Sequence, residues 1–167
     1  MRAGVLRRVG LAMLLTLPSM AAFAKTTTID DVTVDVPEGY EVASSKRGLL
    51  IKSSDKEVDL WIELFSAADT PTVRKEHMDY WKKEKVDLHG DGDTTKSKSG
   101  ETEVTNTSFP GATWKGDPTV LHYNASGPFG SQNWTLLITY WASPDGDKQH
   151  GEAINKIVSD VKFKYPN

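Results

Sequence analysis

No cysteine occurs anywhere in the 167-residue sequence. Without thiols the chain cannot form disulfide bonds, bind a metal through thiolates, use a cysteine nucleophile or carry a lipid anchor on a cysteine. The motifs G-x-S-x-G and H-E-x-x-H, typical of serine hydrolases and of zinc hydrolases, are also missing. We therefore predict that this protein is not an enzyme.

Long apolar runs are scarce, and the most sustained one covers residues 11–17 near the N-terminus. Basic residues precede it, and Pro18 and the small-residue motif Ala22-Phe23-Ala24 follow it. This three-part pattern is typical of a secretory signal peptide that is cleaved after an A-x-A site. We predict a signal peptide over residues 1–24 and one domain over residues 25–167. No later segment has the length and apolar character that a membrane-spanning helix needs.

Positive charge is in slight deficit, since the formal net charge of the whole chain is −3. Cleavage of the signal peptide removes Arg2, Arg7 and Arg8 but no acid, which lowers the formal charge by three, from −3 to −6. An acidic domain repels phosphates, so we predict no nucleic-acid partner and a preference for a basic protein or a cation. The signal peptide and the missing cysteines together predict a bacterial periplasmic protein.

Residues 132–141 are apolar at both sets of alternate positions. A strand with one solvated face alternates apolar and polar residues, whereas a strand that is apolar on both faces is covered on both. This segment therefore predicts a central strand with another layer packed on each side. One row contains Trp134, Leu136, Ile138 and Tyr140, and the other contains Leu137 and Trp141.

The rest of the chain predicts an α+β domain. Alternating or turn-bounded apolar residues predict strands over residues 25–36, 48–53, 57–65, 101–107, 113–115, 119–126 and 161–163. A period near 3.6 predicts helices over about 70–86 and 148–159. Residues 127–130 predict a hairpin turn, and the polar residues 88–100 predict a mobile loop. This order favours a mostly antiparallel sheet covered by two helices.

Four short motifs follow one another along the predicted domain. They are an apolar strand, proline, small turn and aromatic at 34–40, a helix start at Thr70-Pro71, the step Phe109-Pro110-Gly111, and the tail 153–163. In this order the chain resembles the PsbP-like fold, which is shared by a photosystem extrinsic subunit and by bacterial envelope proteins of the DcrB type. The resemblance implies an α/β/α sandwich and a non-catalytic binding or adaptor role. It carries over no functional residue.

Trp61 stands among Glu57, Asp59 and Glu63 on the polar side of a predicted strand. One interpretation is that a helix covers this side and buries the tryptophan. The other is an exposed surface on which an aromatic anchor and three acids bind a basic protein partner. The second gives our hypothesis of a periplasmic interaction protein, such as an adaptor or an immunity-type protein.

Two glycine-containing segments combine carboxylates with a histidine. Carboxylates in such loops can bind calcium, and an added imidazole would suit a transition metal. Neither segment matches the EF-hand spacing, and Asp-Gly is also ordinary turn chemistry, so we predict no resident cofactor. A divalent-cation site, in a metal-dependent module or enzyme, stays the alternative. Its candidate residues are His89, Asp91 and Asp93 in one segment and Asp145, Asp147 and His150 in the other.

Overall fold

The computed structural model describes residues 24–131 and 133–164. Residues 1–23 of the predicted signal peptide lie outside this part of the chain, so the signal peptide stays a prediction. None of the helices in the described residues is long and apolar enough to cross a membrane.

The described residues form thirteen strands and two α helices. The helices are α1 (Thr70–Glu84), which follows a 3-10 turn at Ala67–Asp69, and α2 (Pro144–Ser159). The strands are β1 (Lys25–Ile29), β2 (Val32–Val36), β3 (Tyr40–Ser45), β4 (Gly48–Ser53), β5 (Val58–Ser66), β6 (Val86–Asp87), β7 (Asp93–Ser99), β8 (Thr102–Ser108), β9 (Thr113–Trp114), β10 (Asp117–Pro118), β11 (Val120–Phe129), β12 (Trp134–Ala142) and β13 (Lys162–Phe163).

Seven of these strands build the main sheet in the order β3-β4-β5-β12-β11-β8-β7. Every neighbouring pair is antiparallel, and β12 is the middle strand. This arrangement confirms the predicted α+β fold and the central position of the strand that is apolar on both faces.

The two faces of β12 belong to different cores. Leu136, Ile138 and Tyr140 pack in a cluster that includes residues of β2, β4, β5 and α2. On the other face Leu137 packs with Val73 of α1, and Trp141 belongs to a cluster with Trp81 of the same helix. Burial of each such side chain contributes about 1.5–3 kcal/mol, so both faces stabilise the sheet.

A small sheet packs, together with α2, on one face of the main sheet. It has the order β1-β2-β13, and the valines of β2 are only 0–3 % exposed. The prediction of one strand over residues 25–36 is wrong, because the chain reverses at Asp30, whose φ is +50°. β1 and β2 therefore form a hairpin. A second small sheet, β10-β9-β6, lies beside the end of α1.

The two edges of the main sheet were not predicted. Residues 88–100, predicted as a loop, contain β7, which pairs with β8 from Asp93 to Ser99. At the opposite edge, β3 lies in a segment for which no strand was predicted. β7 carries polar residues at every position, and the exposed positions of β3 are also polar or small. Edge strands bury little, so their sequences lack the apolar alternation that identifies a strand.

Two boundaries around β12 differ from prediction. β11 continues to Phe129, so residues 127–129 belong to this strand rather than to the hairpin turn predicted at 127–130. α2 begins at Pro144 rather than near residue 148, because the Ser143 hydroxyl accepts a hydrogen bond from the Gly146 amide at 2.9 Å. A serine cap followed by proline is a favourable helix start. Asp145-Gly146-Asp147, which the sequence also allows as ordinary turn chemistry, is thus part of the first turn of a helix.

Candidate functional site

Trp61 lies on the face of the sheet that α1 covers. Its ring stacks on Trp141 at a centroid distance of 6.5 Å and meets the edge of Tyr80 at 5.7 Å. These neighbours leave Trp61 half-buried. Helix packing therefore removes much of the exposure that a surface anchor needs, and the docking role of Trp61 stays a prediction.

Glu63 is buried, with only 3 % of its surface exposed. Its carboxylate accepts a hydrogen bond from His77 Nε2 at 2.6 Å and pairs with Arg47 Nη2 at 3.1 Å. Arg47 also pairs with Glu76 at 2.7 Å. The expectation of an exposed acid at position 63 is wrong, because Arg47 from the turn between β3 and β4 and His77 from α1 close over it.

The other two predicted acids, Glu57 and Asp59, line a groove of about 420 Å³. We call it the acid–aromatic groove. It lies beside the C-terminal end of α1, which contributes Tyr80 and Glu84. Its remaining charged and aromatic residues are Glu41, Lys52, Lys56, Trp114 and Trp141.

The aromatic side chains of this groove are held firmly but remain accessible. Tyr80 and Trp114 each leave 37 % of their surface exposed. Trp114 meets the edge of Trp141 at 5.1 Å, and its indole N–H donates to the Glu84 carbonyl at 3.0 Å. The indole N–H is thus satisfied within the protein, so Trp114 offers its apolar surface to a partner.

The side chains that line the groove carry a negative net charge. Asp59 is neutralised by Lys52, whose Nζ lies 2.7 Å from Oδ2. The lining also holds Glu41, Glu57 and Glu84, against Lys56. Burial, and then the charges of Asp59 and Glu84, raise the pKa of Tyr80 to about 12. Tyr80 therefore stays a neutral hydrogen-bond donor at ordinary pH.

The two predicted acid–histidine segments do not meet. His89, Asp91 and Asp93 lie before and at the start of β7, and Asp145, Asp147 and His150 lie in the first turns of α2. Within residues 24–131 and 133–164, no group of three histidine, aspartate or glutamate side chains is close enough to hold a metal ion. Sequence proximity therefore did not produce a converging ligand set in this part of the chain.

His150 and Asp147 of the second segment have other partners. His150 Nε2 lies 2.8 Å from Asp55 Oδ2, and Nδ1 lies 2.7 Å from the Tyr40 hydroxyl. Asp147 accepts a hydrogen bond from the Tyr140 hydroxyl at 3.0 Å. Hydrogen bonds from Ser53, from His150 and from the Glu57 amide hold the pKa of Asp55 at about 2. These contacts tie α2 to the start of β3, to the turn after β4 and to β12.

Sequence reasoning did not identify Trp114, Tyr80 or Glu84 as site residues. Tyr80 and Glu84 are four positions apart on α1 and so lie on one helix face, but nothing in the sequence places Trp114 beside them. The antiparallel pair of Trp114 with Val86 does this.

No protein-family model matches the chain. No curated protein matches it either.

Solved structures are nevertheless similar in fold. Cyanobacterial PsbP (CyanoP) from Synechocystis sp. PCC 6803 matches with a TM-score of 0.53 and 12 % identity, over 96 % of this chain and 98 % of that one. LpqN of Mycobacterium tuberculosis, which is involved in cell envelope biogenesis, matches with a TM-score of 0.50 and 13 % identity, over 85 % and 92 %. The Ran-binding protein Mog1p of Saccharomyces cerevisiae has a TM-score of 0.48 and 9 % identity, over 86 % and 96 %. The first two confirm the predicted PsbP-like fold, and identities this low show the fold alone.

Proposed function

We propose that this protein is a non-catalytic periplasmic interaction protein that binds a basic segment of a protein partner in the acid–aromatic groove. The observation that carries this proposal is the exposure of Tyr80 and Trp114 beside Glu57 and Glu84. Tryptophan and tyrosine dominate binding energy at protein interfaces, and flanking charges select the partner and speed its association. We propose neither a membrane nor a nucleic acid as the partner.

A lysine of this protein already makes the cation–aromatic contact that we propose for the partner. Lys115 Nζ lies over the ring of Trp114, 4.4 Å from its centroid. A ring face that attracts an ammonium group also suits arginine, which stacks on aromatic rings and pairs with carboxylates. An extended segment bearing lysine or arginine would thus match both the rings and the carboxylates of the groove.

Trp61 and Glu63, two residues of the original hypothesis, would act from behind the groove. Trp61 supports Tyr80 and Trp141 through ring contacts. Glu63 holds α1 on the sheet through His77. In this proposal they position the groove, while Glu57 and Asp59 line it.

The periplasmic location rests on the predicted signal peptide, and likeness to a protein of cell envelope biogenesis supports it. Cleavage after Ala24 would leave the fold intact, because β1 begins at Lys25. Intact-mass measurement of the exported protein should show Lys25 as the first residue; a periplasmic species that retains residues 1–24 would contradict the location argument. Membership of the DcrB type likewise remains a proposal.

The docking proposal is tested by capture of partners from periplasmic extract, followed by affinity measurement with the captured protein. Trp114→Ala should weaken binding about 30-fold, which corresponds to about 2 kcal/mol for an aromatic hot spot. Glu84→Gln should mainly slow association and reduce its dependence on salt. Glu152→Gln is the matched control, since Glu152 is an exposed acid of α2 on the opposite side of the sheet.

Circular dichroism and a melting curve show whether each variant is folded. A folded Trp114→Ala protein that binds the captured partner with unchanged affinity at low and high salt would refute docking in the groove. Equal effects of Glu84→Gln and Glu152→Gln would show that net charge, rather than the groove, attracts the partner.

A further inference from the structure

A separate cavity of about 200 Å³ lies between the N-terminal half of α1 and the main sheet. We call it the α1 pocket. Its walls are mostly apolar and come from α1, from strands β5, β7, β8, β11 and β12, and from the segments before β7 and after β8, the latter including Phe109. Its apolar residues include Phe65, Val73, Ala125 and Leu137. None of its lining residues also lines the acid–aromatic groove.

The hydroxyl of Tyr123, a residue that lines this pocket, is buried and has no hydrogen-bond partner among the described residues. Leaving a buried hydroxyl unpaired destabilises the folded state, and most buried polar groups in folded proteins are paired. Burial, and then the charge of Glu63, raise the pKa of Tyr123, so the hydroxyl keeps its proton at any ordinary pH. Tyr123 is therefore an unpaired hydrogen-bond donor in the wall of the pocket, and an acceptor reaches its hydroxyl once the ring or its neighbours shift.

Positive charge at the pocket is supplied by Arg74, which is exposed on α1. Among the side chains that the structure describes, none forms a salt bridge with it. Its charge reaches the Tyr123 hydroxyl, where it opposes the rise in pKa. Asp91 is an exposed acid of the same lining. His77 also lines the pocket, with its Nε2 bonded to Glu63.

We propose that the α1 pocket binds a small apolar carboxylate. The carboxylate would supply the acceptor that Tyr123 lacks and the negative charge that Arg74 lacks, and the hydrocarbon body would pack on Phe65, Val73 and Leu137. The pocket volume of about 200 Å³ equals that of roughly seven water molecules in the liquid, at about 30 Å³ each. This is enough for one aromatic ring with a short side chain. It lies below the range of about 300–1,000 Å³ typical of drug-sized ligands. This site is independent of the docking groove.

The test uses 3-phenylpropionate as the probe and uncharged 3-phenylpropanamide as its isosteric control, titrated into the exported protein and followed by NMR and calorimetry. The acid should bind saturably at one site, about tenfold more tightly than the amide, because charge-assisted hydrogen bonds are stronger than neutral ones. Arg74→Gln should remove this preference. Lys75→Gln, which makes the same charge change one residue later on α1, should retain it, since Lys75 pairs with Asp79 and does not line the pocket.

Two further variants separate binding from folding. Tyr123→Phe should weaken binding of the acid several-fold while leaving the melting temperature of the unliganded protein equal or higher, because it removes an unpaired hydroxyl. Ala125→Phe should fill the pocket and abolish binding. The proposal is overturned by an absence of saturable 3-phenylpropionate binding, by equal affinity for acid and amide, or by binding that survives in folded Ala125→Phe protein. Dodecanoate binding more tightly than 3-phenylpropionate would contradict the size limit.

Discussion

Glu63 carries a charge into the region between α1 and the sheet, where water is largely excluded. Its partners Arg47 and His77 have side chains that are 16 % and 11 % exposed. Removing one member of a buried ion pair is costly because the remaining charge lacks a counter-charge. Glu57, six residues earlier in the sequence, is exposed to solvent. We therefore expect substitutions of these two acids to have very different effects on stability.

At this position we expect Glu63→Gln to lower the free energy of unfolding by about 3 kcal/mol, the usual scale for breaking a buried pair. Glu57→Gln, at an exposed site, should change it by less than about 0.5 kcal/mol. Urea unfolding followed by tryptophan fluorescence measures both. Equal values for the two variants would show that the Glu63 network contributes nothing to stability.

At the scale of the elements, β4 and β5 lie very close together at Gly48, a residue that has no side chain. Gly48 has a φ of +154°, and a Cβ built on it would lie 2.2 Å from the Ile62 carbonyl oxygen. The strand pair can form at this spacing only with glycine. On α2, Gly151 has open space where a Cβ would point.

These two glycines give a prediction with opposite signs. Gly48→Ala should destabilise the protein by several kcal/mol, because backbone atoms of β5 must move. Gly151→Ala should stabilise it by about 0.5–1 kcal/mol, because alanine favours the helix. Melting temperatures measured side by side decide the matter, and a loss of stability in both variants would contradict the second part.

Position within the sheet sets the tolerance of a strand for charge. Ile138 on β12 is 8 % exposed and has a packed layer over its face, whereas Thr95 on the edge strand β7 is exposed. We expect Ile138→Asp to prevent folding, since an unpaired buried charge is very costly. Thr95→Asp should stay within about 0.5 kcal/mol of the parent protein. Similar melting curves for both variants would contradict the assignment of the core.

At the scale of the whole molecule, acid stability should depend on the carboxylates with low pKa values, of which the described residues contain two. Hydrogen bonds from Lys46 and Arg47 hold the pKa of Glu76 at about 2, below its usual 4.5. The pKa of Asp55 is also about 2, below its usual 3.8, chiefly through Ser53 and His150. A carboxylate with a depressed pKa stabilises the folded state above its unfolded pKa, and this contribution disappears as the pH falls towards the folded pKa.

The unfolding free energy should therefore fall as the pH drops from about 5 to about 2. The double variant Asp55→Asn/Glu76→Gln should be less stable at pH 7 and show a shallower decline over this interval. Thermal melts at half-unit pH steps measure both slopes. Glu101→Gln, an exposed acid in the turn between β7 and β8, is the control. Parallel slopes in the parent and double-variant proteins would contradict the role of this pair of acids.

By itself the sequence determined the features that depend on local pattern. The two apolar rows of residues 134–141 require cover on both faces, and the structure places β12 in the middle of the sheet under two layers. Periodicity identified both helices, and alternation identified most buried strands. The edge strands β3 and β7 could not be identified this way, because an edge strand is held by backbone hydrogen bonds that any polar sequence can make.

Only the tertiary structure decided which polar residues are accessible and which ones meet. Residues 59, 61 and 63 are two positions apart in β5 and so lie on the same side of the strand. Nevertheless, Asp59 lines a groove, Trp61 supports that groove and Glu63 is buried. The difference comes from α1, which crosses the strand at some positions and leaves others open. Likewise Glu57 and Trp114 lie 57 positions apart in the sequence and share a groove only because β9 pairs with β6 at the end of α1. Such meetings depend on long-range packing, which no local pattern contains.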